Sequence, residues 1–228
     1  HPVLLHPLDL DRFPLLSGQG WGSSALWRAW GQALDAEGKV FLRLKRIAQS
    51  HENQFVREQA NLMLMMLEQS HEPISKNPSF EQGQNNWGLW VKWGIGSMKR
   101  VEGNAHKGKF SILCKGMKRG GPHQEFAITP GRYGAVAFAH CPEAPNGNAT
   151  VELSMTLRNA EGRTLMPSPS VTITPSPGKW LPLAIAGDIP EKIGKEEVKK
   201  VLLIIIVNGF EPGEEVYIDD LAMFPLSD

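Results

Sequence analysis

The sequence predicts a mostly β protein, an antiparallel β-sandwich preceded by a short α-helical hairpin region. Three observations carry this. Thr150 to Arg158 alternates strictly, with Val151, Leu153, Met155 and Leu157 on one face and Glu152, Ser154, Thr156 and Arg158 on the other, as in a half-buried strand. From Asn77 onward short runs of this kind recur between Gly, Pro and Asn turns, over a length that suits a two-sheet sandwich. Before Asn77 the apolar residues recur at helical spacing instead. The division expected is therefore 1–75, an extended segment plus two or three helices, and 76–228, the sandwich.

Residues 1–16 hold three prolines and no sustained period, so they read as extended chain lying over a surface. Ser23 or Ser24 offers an N-cap to a short helix carrying Leu26, Trp30, Ala33 and Leu34. Val40, Phe41, Leu44, Ile47 and Ala48 form the apolar stripe of a second, and Phe55, Val56, Ala60, Met63, Leu64 and Leu67 that of a third. The methionines at 63, 65 and 66 belong to packing rather than to soft-metal binding.

Past the seam, Phe110, Ile112 and Cys114 alternate with Ser111, Leu113 and Lys115, and Phe126 and Ile128 with Glu125 and Ala127. Further strands are expected at Tyr133 to Cys141, around Val171 and Ile173, at Trp180 to Ile185, at Val201 to Val207 and at Val216 to Met223. Two of these are apolar on both faces. Val136 and Phe138 stand opposite Tyr133, Ala135 and Ala137, and Leu202, Ile204 and Ile206 back the Val201 face. An outer sheet face so apolar needs a cover, and the helical hairpin is the nearest candidate.

The 24 basic and 24 acidic residues balance, which removes the electrostatic case for nucleic acid or an anionic membrane. The longest apolar run, Val201 to Val207, is of strand length, so no membrane span is expected. Cys114 and Cys141 are too few for a disulfide framework; they read as two buried thiols, with a single disulfide as the alternative. The chain starts on His1 with no charged, apolar leader, which suits either a removed targeting segment or a piece of something longer.

The landmarks come in a recognisable order. Asn77-Pro78-Ser79-Phe80-Glu81 is followed by Trp87, by Ala105-His106-Lys107-Gly108-Lys109-Phe110-Ser111, by Gln124 with Pro130-Gly131-Arg132-Tyr133, by Trp180, and by Val216-Tyr217-Ile218-Asp219-Asp220-Leu221. Over residues 77 to about 224 this resembles the jelly-roll carbohydrate-binding modules of the family 4 and 9 type, within the galactose-binding-like superfold. More faintly, the preceding helical segment looks like the tail of a helical domain that follows a catalytic barrel in large glycoside hydrolases. The resemblance implies a non-catalytic binding module at the C-terminal end of a secreted polysaccharide-degrading enzyme. Its partners would be a polysaccharide or oligosaccharide and an upstream catalytic domain in the same parent chain. It also implies a structural calcium ion held by Glu81 and by Asp219 or Asp220, with a carbonyl near Lys109, since a hard cation needs several oxygens at once.

Sugar recognition needs flat apolar rings and planar polar groups. Trp87, Trp90 and Trp93 are the obvious platforms, but spacing in threes cannot point all of them the same way on one strand. Trp87 resembles a core position of the family, which leaves Trp90 and Trp93 as ligand candidates, with Asn85, Asn86, Gln124 and His140 as hydrogen-bonding neighbours. No carboxylate pair, nucleophile elbow, Walker loop or zinc spacing is legible, and His106 reads as structural. The rival reading is a structural sandwich that docks against helices and a catalytic domain without touching glycan.

Overall fold

The computed structural model describes residues 45–46, 49–50, 73–83, 86–106 and 108–225. The chain divides into two units, His1–Ser70 and His71–Asp228. In the first, Lys45, Arg46, Gln49 and Ser50 are helical, and the Ser50 hydroxyl donates to the Arg46 carbonyl at 2.8 Å. The rest of the helical reading and the N-terminal extended segment lie outside the described residues.

The second unit is a β-sandwich. Its strands are β1 (Gly88–Val91), β2 (Ser97–Glu102), β3 (Phe110–Lys115), β4 (Arg119–Ala127), β5 (Gly131–His140), β6 (Thr150–Arg158), β7 (Thr164–Leu165), β8 (Ser170–Ile173), β9 (Trp180–Ile189), β10 (Lys192–Ile193), β11 (Glu196–Glu197), β12 (Lys200–Asn208) and β13 (Glu215–Pro225). The first sheet runs β1-β4-β12-β6-β7, with β8 also on β6; the second runs β2-β3-β13-β5-β9; β10 and β11 form a small hairpin. Every pairing between these strands is antiparallel.

The core lies between the sheets. On β6, Val151, Leu153, Met155 and Leu157 are buried as the alternation requires, and on β12 Val201, Leu203, Ile205 and Val207 meet them in register. Each such side chain contributes roughly 1.5–3 kcal/mol of transfer free energy. The opposite face of β6 is drier than the sequence predicts, because Ser154 is buried; β8 and Pro169, whose carbonyl accepts the Met155 N–H at 3.0 Å, close over it.

Val216 keeps the two cysteines apart. Cys114 opposes Val216, and Cys141 follows His140, which opposes Tyr217. The thiols are thus two strand spacings apart, about 10 Å, beyond the roughly 7 Å that a disulfide spans. Both are free and buried, and burial pushes each thiol up to about 12.

The opening motif seals one end of the sandwich. Asn77 adopts a left-handed conformation (φ 52°), and its carbonyl accepts the Phe80 N–H and, at 2.8 Å, the Trp87 indole N–H. Phe80 and Trp87 are buried, with ring centroids 5.4 Å apart, as the reading of Trp87 as a core residue expects. Ser75 and Pro78 then bond the Met223 and Leu221 amides, so this segment flanks β13 beyond the end of β3.

Candidate functional site

Residues directly opposed in an antiparallel pair share a face, so the registers map the two outer faces of the sandwich. On the first sheet, Trp90 stands across from Gly121, and Gly88 across from His123, which in turn opposes Ile204 and through it Ser154. Glu125, Leu202 and Thr156 make the next row. The glycines are a requirement of close strand approach. A Cβ on Gly121 would fall 1.8 Å from the Ile205 carbonyl oxygen, and one on Gly120 would fall 2.3 Å from that of Trp90.

His123 lies directly over Gly88, where a Cβ would meet Nε2 at 2.4 Å. Its Nδ1 is buried without a partner, and burial holds the imidazole below its ordinary pKa. Arg158 Nη1 donates to Glu125 at 2.7 Å and Lys200 Nζ lies 3.3 Å from the same carboxylate, while Arg158 Nε is buried and unpartnered. Burial works to raise the Glu125 carboxyl, but these two cations hold it below its ordinary value. Leu202 and Ile204, although they face outward, are only 8% and 6% exposed.

Beyond β1 the chain turns through Lys92–Gly94, where Trp93 sits at φ 59°, ψ 8° and is 69% exposed. The Lys92 ammonium lies 4.2 Å from its ring centroid. A non-glycine residue in the left-handed region is uncommon and carries strain of order 1 kcal/mol. Trp93 therefore combines two costs, a strained backbone and an exposed indole.

The remaining expected ligand groups scatter. Gln124 points inward and is committed to the backbone: Oε1 accepts the Lys76 N–H at 2.8 Å, and Nε2 donates to the carbonyls of Lys76 and Asn86. Asn86 is exposed at φ 71°. Asn85 lies outside the described residues. His140 is on the other sheet, so Trp90 and His140 do not share a face.

Across the second sheet one register row reads Trp180, His140, Tyr217, Leu113 and Lys99, on β9, β5, β13, β3 and β2 in turn. Phe138 is two residues along β5 on the same face. The His106 ring stacks on Phe138 with centroids 3.7 Å apart and planes 12° apart, and meets Trp180 edge-on at 5.7 Å. His140 lies 5.3 Å from Trp180 and 6.0 Å from Tyr217, and its Nδ1 is buried without a partner.

A bulge in β13 between Asp219 and Ala222 sets His106 in place. Asp219 Oδ2 accepts the His106 backbone N–H, and Asp220 Oδ2 pairs with its Nδ1, both at 2.7 Å. Neither Trp180 as a site residue nor this ring stack follows from the motifs, because the row exists only once five strands are in register.

At the other end of the same loop, Glu81 Oε1 accepts the N–H groups of Lys109 and Phe110 at 2.8 and 2.9 Å, which pulls its carboxyl below the ordinary value. Gly108, at φ 74°, is the residue that lets this carboxylate approach. Glu81 and Asp219 supply the hard oxygens that calcium takes, whereas Asp220 is turned to His106. The Lys109 carbonyl accepts the Gly103 N–H at 2.9 Å. Among the described residues no three His, Cys, Asp or Glu side chains converge as a metal site.

No protein-family model and no curated protein matches the sequence. Solved structures do match the fold. The CBM22-1 xylan-binding domain of Paenibacillus barcinonensis Xyn10C matches at TM-score 0.50 and 15% identity, over 66% of this chain and 92% of that domain. The β unit shares its fold with a carbohydrate-binding module. The enzymatically active domain of bacteriophage CBA120 tailspike protein 4 matches at TM-score 0.53 and 14% identity, over 68% of this chain but 21% of that one. TmCBM61, solved with β-1,4-galactotriose, matches at TM-score 0.48 and 20% identity, over 68% of this chain and 99% of the module. One architecture thus serves a xylan-binding domain and part of an enzymatically active one, and function has to be argued from the site.

Proposed function

We propose that the β unit is a non-catalytic glycan-binding module that engages polysaccharide along the β1 edge of its first sheet. The observation that carries this is Trp93, held in a left-handed turn with its indole 69% exposed, three residues after Trp90 on the outer face of the same edge. Packing does not account for an exposed indole on a strained backbone; a ring platform for the C–H face of a sugar does. His123, partly exposed on that face, adds an imidazole that a hydroxyl can bond.

The module would belong to a secreted, polysaccharide-degrading parent enzyme with an upstream catalytic domain, acting outside the cell. The test is retention on affinity gels carrying neutral polysaccharides. The wild-type chain should be retarded, and Trp93→Ala and Trp90→Ala should each weaken binding by about tenfold, equivalent to ~1.4 kcal/mol. Retention that survives both substitutions removes the β1 edge as the site.

We also propose that calcium binds between Glu81 and Asp219, tying the opening motif to the closing strand. A chelator should then lower the melting temperature through lost ligand-linked stability, and Glu81→Gln should abolish that shift. An unchanged melting curve discards the ion.

The rival is a docking module that binds no glycan. It is favoured by Val136, Leu202 and Ile204, which face outward yet are nearly buried. A wild-type chain that no polysaccharide retards would decide for it.

A further inference from the structure

The second sheet carries a feature that the β1 edge does not use. The row of Trp180, His140 and Tyr217 crosses three adjacent strands and continues through Leu113 to Lys99. Four strand spacings make this track about 19 Å long, which suits an oligosaccharide rather than a single sugar ring. Trp180 and His140 are partly exposed and Lys99 is exposed, while Tyr217 and Leu113 are buried in the row between them and Phe138 lies under the His106 ring.

Polar groups border the rings. The His140 ring is partly exposed beside Trp180, although its Nδ1 is buried without a partner. Tyr217 donates its hydroxyl to Glu215 at 3.1 Å, and Lys115 donates to the same carboxylate at 2.9 Å. Glu215, two residues along β13 from Tyr217, also lines a cleft of about 260 Å³ between the Pro142–Asn146 and Pro212–Glu215 turns.

The chemistry of this surface selects its ligand. Aromatic faces take C–H surfaces, and the partly exposed His140 imidazole can exchange a hydrogen bond with a hydroxyl. Beside the rings the described acidic groups are engaged, Asp220 by His106 and Glu215 by Lys115 and Tyr217, and the row's own lysine, Lys99, lies at its far end, three strands from His140.

We propose that this row is a second surface for a neutral glycan chain, so that the module holds one chain on each face and bridges two. The proposal rests on the glycan reading above. It makes the module a cross-linker of polysaccharide, which a single binding edge would not be.

The test is calorimetric titration of the full chain with a panel of neutral oligosaccharides of xylose, galactose and glucose, together with light scattering in soluble xylan. The wild type should bind two oligosaccharides and raise scattering by clustering xylan. Trp180→Ala should lose one site, weakened about tenfold or more, and abolish clustering while sparing the site lost in Trp93→Ala. His140→Ala, matched to the wild type by its melting curve, separates lost binding from lost folding and should weaken the same site. A single site that Trp93→Ala removes and Trp180→Ala spares overturns the second surface but leaves the β1 reading intact. A single site with the reverse pattern overturns the β1 reading and the bridging, and assigns binding to the ring row. No binding by the wild type overturns both.

Discussion

The two outer faces of the sandwich are built on the same antiparallel plan but filled differently. The first presents aliphatic Leu202 and Ile204 between His123, Ser154 and Thr156, with one tryptophan at its edge strand. The second presents rings in consecutive strands, capped by a histidine that two aspartates hold in place. The first face is shaped by close backbone approach at glycines, the second by ring contacts. Both bury a histidine nitrogen without a partner. The same topology can therefore produce a tight face with a binding edge and a ring-floored face with a binding row.

The largest expected effect tests the backbone side of that contrast. Gly121→Ala places a carbon 1.8 Å from a neighbouring carbonyl oxygen, and should destabilise by about 3 kcal/mol in denaturant titration. Gly88→Ala meets only the movable tip of His123 and should cost about 1 kcal/mol. Equal costs would mean that close strand approach does not shape the first face. On the second face, Asp220→Ala removes the partner of His106 and should cost about 1.5 kcal/mol, with loss of the ring-stacking shift of Phe138 in NMR spectra. Unchanged Phe138 resonances would show that the loop backbone alone places His106.

Trp93→Gly should separate binding from stability most cleanly. Glycine accepts φ 59° without strain, so the melting temperature should hold or rise slightly while glycan retention falls. A clear loss of stability would make Trp93 a packing residue. The smallest effect is the pH response. Burial pushes His123 and His140 below their ordinary value of 6.5, so the unfolded chain takes up protons at a higher pH than the folded one. Stability should be full above about 6.5 and fall as the pH drops through that value toward the depressed folded ones. His123 is the more deeply set, so His123→Gln should flatten this slope more than His140→Gln.

Strand content was largely legible. Thr150–Arg158 alternates with nothing to interrupt it and forms β6 with those bounds, and the apolar run near 201–207 lies within β12. β1 and β2 were not legible as strands, because Gly88–Val91 is short and Ser97–Glu102 mixes charge and methionine without a clean period. The site was harder to read. Gln124 has the chemistry of a ligand contact, yet its amide is spent on the backbone of Lys76 and Asn86, which lie 48 and 38 residues away in the chain. His106 reads as structural from its motif; what the motif does not show is that the β13 bulge brings its ring onto Phe138 and beside Trp180.

The sequence by itself determined the sandwich, since period-two alternation and turn residues act locally. Only the tertiary structure decided that Trp90 and His140 lie on opposite sheets, that Cys114 and Cys141 flank Val216 too far apart to join, and that Trp180, His140 and Tyr217 form one row. Those outcomes depend on strand order and register, which link residues dozens of positions apart and leave no trace in local spacing.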